Sequence, residues 1–375
     1  MRFGHSHVRC EFRGRLDAFA SRVPGPRCAR REKLRRVNGR RMAEEMAEQP
    51  ARLSELIGRF DEIADDVRRA APTPLTGTTI VARGSSDQAG VYGRYLLEAA
   101  TGKPVSLAAP SLHTLYRVDV DYAGQLVIAV SQSGATPEIV HTLRALQDGG
   151  GRGLAITNDP ESPLATSADD VLALEVGLEQ AVPATKTVTG QLTAFAIIAA
   201  SLGRVPFTRG ELDRVPEWVQ TVLDDPAPVA AVTEALAGAA QLIVVARGYL
   251  YAAALETALK IKETCSLLAD GYSAADLRHG PIAAVTRGVP VVALFAPGPA
   301  YADVASLVDE LRARQASVLV VGSGDTADVP LPSDAPEALA PILAVVRGQQ
   351  LARELALRLG YDPDSPAGLL KVTPT

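Results

Sequence analysis

The second half of this 375-residue chain repeats the first at a fixed offset of 164. Val81-Ala82-Arg83-Gly84 matches Val245-Ala246-Arg247-Gly248, Val127-Ile128-Ala129-Val130 aligns with Val291-Val292-Ala293-Leu294, and Leu154-Ala155-Ile156 falls on Val318-Leu319-Val320. One such match would carry little weight, but three in a single register define two copies of one unit. Each matched segment is a short apolar run, and in the first copy helical patterns follow two of them, to about Thr101 and over Pro137–Gln147. Continuous apolar strands alternating with helices indicate an α/β fold whose parallel sheets are covered on both faces.

Around the repeat, the spacing divides the chain further. Leu53, Leu56, Ile57, Phe60, Ile63 and Val67 recur every three or four residues, which predicts an amphipathic helix from Met42 to Ala70 within an N-terminal segment 42–75. The copies then occupy 76–205 and 229–375, joined by a linker at 206–228 that holds Pro206, Pro216, Pro226 and Pro228.

Composition narrows the function class. Residues 1–41 carry 13 Lys and Arg against 3 Asp and Glu, leaving 25 basic and 40 acidic residues over 42–375. An acidic body of net −15 argues against nucleic acid as a partner. The basic leader has no helical period and no apolar core of the length a secretory signal needs, and is expected to be disordered or to precede the true start at Met42. The longest apolar stretch, Leu192 to Leu202, is too short to span a membrane. Cys265 is the one cysteine outside the leader, and the five histidines show no paired spacing, so neither a disulfide framework nor a metal site is expected. No dinucleotide or Walker fingerprint is present, and no cofactor is expected. These features together describe a cytoplasmic protein.

The copies differ where a ligand would sit. After its second matched strand the first copy reads Ser131-Gln132-Ser133-Gly134-Ala135-Thr136, whereas the second reads Phe295-Ala296-Pro297-Gly298-Pro299-Ala300. Open parallel sheets bind ligands beyond the carboxyl ends of their strands. A hydroxyl-rich turn opening a helix there offers N–H groups and the positive helix end to a phosphate. The same residues also suit an ordinary polar loop with a Ser or Thr cap.

The second copy carries different chemistry. On a helix predicted from Tyr249 to Leu268, Glu256, Lys260 and Glu263 fall on one face. A solvated ion-pair ladder would show that spacing too, but the neighbours Ala252–Leu255, Ala258, Leu259 and Ile261 are apolar enough to bury the helix. Beyond it, Asp276-Leu277-Arg278-His279-Gly280-Pro281 presents a histidine in a loop. The chain has 32 arginines and six lysines, so a retained lysine can mark a position needing an amine that loses its proton. Lys186, in a Thr-Lys-Thr turn before a helix, Lys260, and Lys371 near the C-terminus stand out by that measure. With no metal or nucleotide motif, the available chemistry is proton transfer on a phosphorylated small molecule.

These motifs resemble the sugar isomerase (SIS) domain family, over essentially all of the chain from Met42. The matching residues are Ser131-Gln132-Ser133-Gly134 with Thr136, Thr185-Lys186 with Gln191, Leu255-Glu256 through Lys260 to Glu263, the Leu277–Pro281 loop, and Lys371-Val372-Thr373. The likeness extends to the isomerase half of glutamine–fructose-6-phosphate amidotransferases and to stand-alone aminosugar-phosphate deaminases. It implies two tandem domains, each a five-stranded parallel sheet flanked by helices, in a homodimer with active sites near the subunit interface. It also implies site roles. Ser131, Gln132, Ser133 and Thr136 would hold a sugar phosphate, with Gly84, Ser85 and Ser86 as the neighbouring substrate turn and Lys186 and Glu256 as further binding residues. Glu263 would move a proton between C1 and C2, with Lys260 beside it. His279 would open the sugar ring from across the dimer, and Lys371 would close over the substrate.

Two departures bear on substrate rather than reaction: Asp276 stands where the family often has glutamate, and the first turn reads Gly84-Ser85-Ser86-Asp87 where threonine is frequent. Position 2 is Arg2, not a cysteine nucleophile, so no glutamine hydrolysis is expected. The expected reaction is glucosamine 6-phosphate plus water to fructose 6-phosphate plus ammonia. Rivals are a galactosamine 6-phosphate deaminase, a fructosamine 6-phosphate deglycase, and a non-catalytic sugar-phosphate regulator.

Overall fold

The structure, a computed structural model, describes residues 38–324 and 326–371. Most of the basic leader (1–37), and Val372 and Thr373, lie outside the described residues. Three helices lead in: α1 (Arg40–Ala47), α2 (Gln49–Gly58) and α3 (Phe60–Ala70). The first copy follows as β1 (Gly77–Val81), α4 (Ser85–Thr101), β2 (Val105–Leu107), α5 (Pro110–Thr114), β3 (Gln125–Val130), α6 (Pro137–Asp148), β4 (Arg152–Thr157), β5 (Asp170–Ala173) and α7 (Lys186–Leu202). After α8 (Arg209–Asp213), α9 (Val215–Asp224) and α10 (Ala227–Leu236) comes the second copy. It comprises β6 (Gln241–Ala246), α11 (Tyr251–Cys265), β7 (Leu268–Ser273), α12 (Ala274–Arg278), β8 (Pro290–Phe295), α13 (Tyr301–Ala313), β9 (Ser317–Gly322), β10 (Val329–Pro330) and α14 (Ala340–Leu359).

Both sheets are five-stranded with the same order, β2-β1-β3-β4-β5 and β7-β6-β8-β9-β10, and every pairing is parallel. The three sequence matches are β1 with β6, β3 with β8 and β4 with β9, the centre of each sheet. Most of their side chains are buried on both faces, as in Ile80 and Val81 or Leu126 to Val130, with Val318 and Leu319 of β9 half-buried, which is why they read as continuous apolar runs. The strand order reverses direction between β1 and β3, and a crevice opens there beyond the carboxyl ends.

The copies are joined by a shared helical layer rather than set end to end. Core side chains from α4, α7, α11 and α14 belong to one continuous cluster. Tyr92 of α4, fully buried, donates its hydroxyl to the Ala338 carbonyl of the second copy at 2.7 Å. Packing α4 against α11 is what brings first-copy serines to the charged face of the second copy.

Three expectations need correction. The helix predicted from Met42 to Ala70 is three helices, broken at Glu48 and Arg59; at the first break Pro50 has no N–H to continue the α1 ladder. The segment 206–228, expected as a linker, is largely helical and buries Leu212, Val215, Trp218, Val219 and Val222; Pro216 and Pro228 lie in first turns, where a missing N–H costs nothing. The predicted helix Tyr249–Leu268 ends at Cys265, where Ser266 turns left-handed (φ 50°) and hands the chain to β7. The end of the leader also belongs to the fold, since α1 begins at Arg40.

Candidate active site

A cleft of about 380 Å³ opens at the crevice. Its first wall is the turn after β1, where Arg83, Gly84, Ser85 and Ser86 lead into α4; its second is the turn after β3, where Ser131, Gln132, Ser133 and Thr136 lead into α6. The second turn is fixed by the backbone: Ser131 N–H donates to Ile156 O (3.1 Å), Asn158 N–H to Gln132 O (3.1 Å) and Leu164 N–H to Gly134 O (2.9 Å). Gly134 has φ +59°, and a Cβ there would stand 2.0 Å from Ser162 Oγ, so only glycine fits. The hydroxyls and the start of α6 thus face the cleft from a rigid frame, an arrangement suited to a phosphate.

The matching turn of the second copy is closed by its own carboxylate. Glu337 accepts a hydrogen bond from Ala300 N at 3.2 Å and lies against Gly298, where a Cβ would meet Glu337 Oε2 at 2.3 Å. Burial raises the Glu337 pKa. The turn of the second copy is therefore closed from within, whereas the matching turn of the first copy lines the cleft.

Helix α11 supplies the charged floor. Lys260 is almost wholly buried; its Nζ contacts Ser85 Oγ at 3.0 Å, Glu256 Oε1 at 3.5 Å and the Glu263 carboxylate. Burial opposes its charge, but Glu256 and Glu263 overcome this and hold its pKa above the usual lysine value. Glu256 is buried beneath, and no hydrogen bond reaches either of its oxygens among the described residues. Burial pushes its pKa up to about 7, with Lys260 acting in the opposite direction and Glu263 adding to the rise. Glu263 lines the cleft with Lys260, so a carboxylate and an amine stand together beside the Ser131–Thr136 turn. Gln191 Nε2 donates to Ser86 Oγ at 3.0 Å, which fixes the first turn from α7.

The C-terminal tail forms the third wall, through Leu369, Leu370 and Lys371. Lys371 Nζ donates to Glu179 Oε2 (2.8 Å) and to the Ala181 carbonyl (2.7 Å). Glu179 is buried and also accepts from Thr185 N (2.8 Å), Thr187 N (3.2 Å) and Thr187 Oγ1 (2.7 Å). Burial opposes ionisation of Glu179, yet Lys371 and the two threonines hold its pKa below the usual range.

The structure therefore brings together Gly84, Ser85, Ser86, Ser131, Gln132, Ser133, Thr136, Lys260, Glu263 and Lys371, with Glu256 just beneath. It does not bring in Lys186 or His279. Lys186 is the first residue of α7 and is buried, its Nζ 2.7 Å from Glu48 Oε2, so it ties the leading helices to α7 rather than facing the cleft. His279 is exposed and lines a separate hollow with Arg247, Arg278 and Asp303. Sequence reasoning missed Arg83, Val182, Ala184, Leu369 and Leu370, which line the cleft, and Glu179 and Glu45, which organise its edge. Nothing in the local pattern shows that a loop glutamate such as Glu179 is buried; the retained lysine at 371 was the nearest signal. Among the described residues no three His, Cys, Asp or Glu side chains group as a metal site, and no helix is long and apolar enough to cross a membrane.

The same two-copy layout marks a known family. The SIS domain model matches residues 78–201 and 235–339. The chain belongs to the SIS domain family. It is 33% identical over 338 residues to glutamine–fructose-6-phosphate aminotransferase (isomerizing) of Methanothermobacter thermautotrophicus, and 34% identical over 353 residues to that of Thermus thermophilus. These matches cover 88% of this chain but only 56% and 58% of the relatives, so the chain spans little more than half their length. Among solved structures, a candidate phosphosugar isomerase from Silicibacter pomeroyi DSS-3 is 32% identical, with TM-score 0.76 over 86% of this chain and 99% of that one. The C-terminal domain of glucosamine-fructose-6-phosphate aminotransferase from Francisella tularensis is 26% identical, with TM-score 0.77 over 87% and 98%. A glucosamine-6-phosphate deaminase from Thermotoga maritima, at 22% identity and TM-score 0.72 over 89% and 100%, shares the fold.

Proposed function

We propose that this SIS-family protein isomerises and deaminates an aminosugar phosphate, converting glucosamine 6-phosphate and water to fructose 6-phosphate and ammonia. The observation that carries the reading is the placement of Glu263 and Lys260 in one cleft with the open Ser131–Thr136 turn. The turn holds the phosphate. Glu263 removes the C2 proton of the open-chain aldehyde and returns one to C1, which leaves a C1 hydroxymethyl and a C2 imine. Water adds to the imine carbon and ammonia departs. The ammonium groups of Lys260 and Lys371 stabilise the negative charge that develops on the enolamine oxygen.

His279 lines a separate hollow and not its own cleft, and this supports a homodimer in which His279 of each subunit opens the sugar ring bound by the other. The test is ammonia release from glucosamine 6-phosphate by the purified protein, coupled to detection of fructose 6-phosphate. Equal amounts of both products support the reading. Release only from galactosamine 6-phosphate or a fructosamine 6-phosphate changes the substrate but keeps the chemistry. Tight binding of a sugar phosphate with no turnover of any of them would refute catalysis and leave a regulator.

A further inference from the structure

Lys371 reaches the cleft at the end of a tail that is otherwise thinly held. From Ala367 to Leu370 every residue is exposed, Leu370 at 72%. The firm attachment lies further back, on α1. Asp364 accepts hydrogen bonds from Arg41 N (3.0 Å) and Met42 N (2.8 Å), two amides of the first α1 turn that have no partner within the helix. Asp362 accepts from Gly39 N at 3.1 Å and from Asp364 N at 3.1 Å, and Arg353 Nε donates to Gly39 O at 2.8 Å. The same helix holds the other side of the Lys371 contact: Glu45 accepts from Ala181 N (3.2 Å) and from Gln180 N. The Asp364 carbonyl in turn accepts from Val182 N at 3.0 Å.

We infer that Asp364 is a positioning residue for Lys371. It caps α1 in place of a side chain from the helix itself, since the N-cap position is Gly39 and supplies none. Through that cap, α1 fixes both the tail that carries Lys371 and the 180–181 backbone that receives its ammonium. Asp364 does not itself line the cleft and meets its wall only through the backbone amide of Val182; it acts by setting where the tail begins its path to the cleft.

The kinetic consequence rests on the proposed role of Lys371 in the reaction, but the positional one does not, so the two are measured separately. In the intact protein, labelling of Lys371 by trinitrobenzenesulfonate is followed by mass spectrometry, with exposed Lys262 as internal reference. Asp364→Ala should raise the Lys371 labelling rate relative to Lys262 by about fivefold, the scale of one lost helix cap. Asp364→Asn, which keeps an accepting oxygen, should restore most of the protection. In the same variants kcat for glucosamine 6-phosphate should fall for Ala and recover for Asn, with KM little changed because the Ser131–Thr136 turn is untouched. A purely structural role would lower thermal stability without changing the labelling ratio. A folded Asp364→Ala protein whose Lys371 labels at the wild-type ratio overturns the inference. If no sugar phosphate is turned over even by the wild type, the catalytic reading fails and the labelling result still decides this one.

Discussion

Glu256 and Lys260 stand one turn apart on α11, both buried, with Glu256 Oε1 3.5 Å from Lys260 Nζ. At that separation the pair attracts, but the attraction does not offset the burial of the carboxylate, and the Glu256 pKa rises to about 7. The folded chain thus holds a proton that the unfolded chain releases near pH 4.5. For this group stability is greatest below pH 4.5 and falls as the pH rises towards about 7, by about 3 kcal/mol if the full shift is expressed. Burial raises Glu45, Asp87 and Glu337 in the same direction, so the wild-type slope alone does not isolate Glu256. Glu256→Gln does: urea unfolding between about pH 5 and 7.5 should show the variant gaining on the wild type as pH rises. Parallel profiles would remove Glu256 as the titrating group.

The contrast with Glu179 yields the second prediction. Its carboxylate is buried too, but Lys371 and the threonine donors of the α7 entry hold it ionised. With a lowered pKa its contribution is present above about pH 4.5 and is lost as the pH falls through the folded value. Lys371→Ala leaves that charge with its threonine partners only. Breaking a buried pair typically costs roughly 3–5 kcal/mol; a loss of about 2 kcal/mol is expected here because those donors remain and Lys371 is partly exposed. Adding Glu179→Gln should recover part of the stability but none of the turnover. Recovery of turnover in the double variant would take Lys371 out of the chemistry.

These two glutamates also mark how far the sequence could be read. Strands β1, β3, β4 and their repeats were legible because central strands are buried on both faces and appear as bare apolar runs. The edge strands were not: β7 (Leu-Ala-Asp-Gly-Tyr-Ser) mixes exposed and buried positions, and β10 has two residues. Glu256, Lys260 and Glu263 were legible as one face of one helix, since their proximity is local. The meeting of Lys260 with Ser85, and of Lys371 with Glu179, depends on how α4 and the tail pack, and no local spacing encodes that. Lys186 was singled out for its scarcity, yet its buried ammonium pairs with the more exposed Glu48; rarity marked a buried charge there and not a cleft residue.

The Ser131–Thr136 turn, proposed to hold the phosphate, gives a third prediction. Gly134 combines φ +59° with a Cβ position 2.0 Å from Ser162 Oγ and 2.4 Å from Ser162 Cβ. Gly134→Ala must displace the turn or the 162 loop, and affinity for fructose 6-phosphate should fall about tenfold or more, the factor that ~1.4 kcal/mol of strain represents. Gly102→Ala is the control: it shares a positive φ (+63°) but faces open space at the end of α4. It should lower stability modestly and leave the affinity alone. Equal affinity losses in both variants would mean that general destabilisation, and not the turn, is being measured.

The separation of His279 from Glu263 can be tested by mixing subunits. Glu263 lines the cleft and His279 does not, so a dimer sharing sites needs one residue from each chain. Glu263→Gln alone should lose ~10²–10⁴-fold in turnover, as expected when a general base is removed, with sugar-phosphate binding retained. His279→Asn should be similarly poor with the closed-ring substrate. When the two variants are denatured together and refolded as mixed dimers, half of the molecules pair one of each. In those, one site carries both substitutions and the other carries neither, so about a quarter of wild-type activity should return. If each cleft used its own His279, every site in the mixture would keep one defect and activity would stay at the level of the single variants. The return of activity on mixing therefore separates a shared site from a self-contained one without reference to which aminosugar is the substrate.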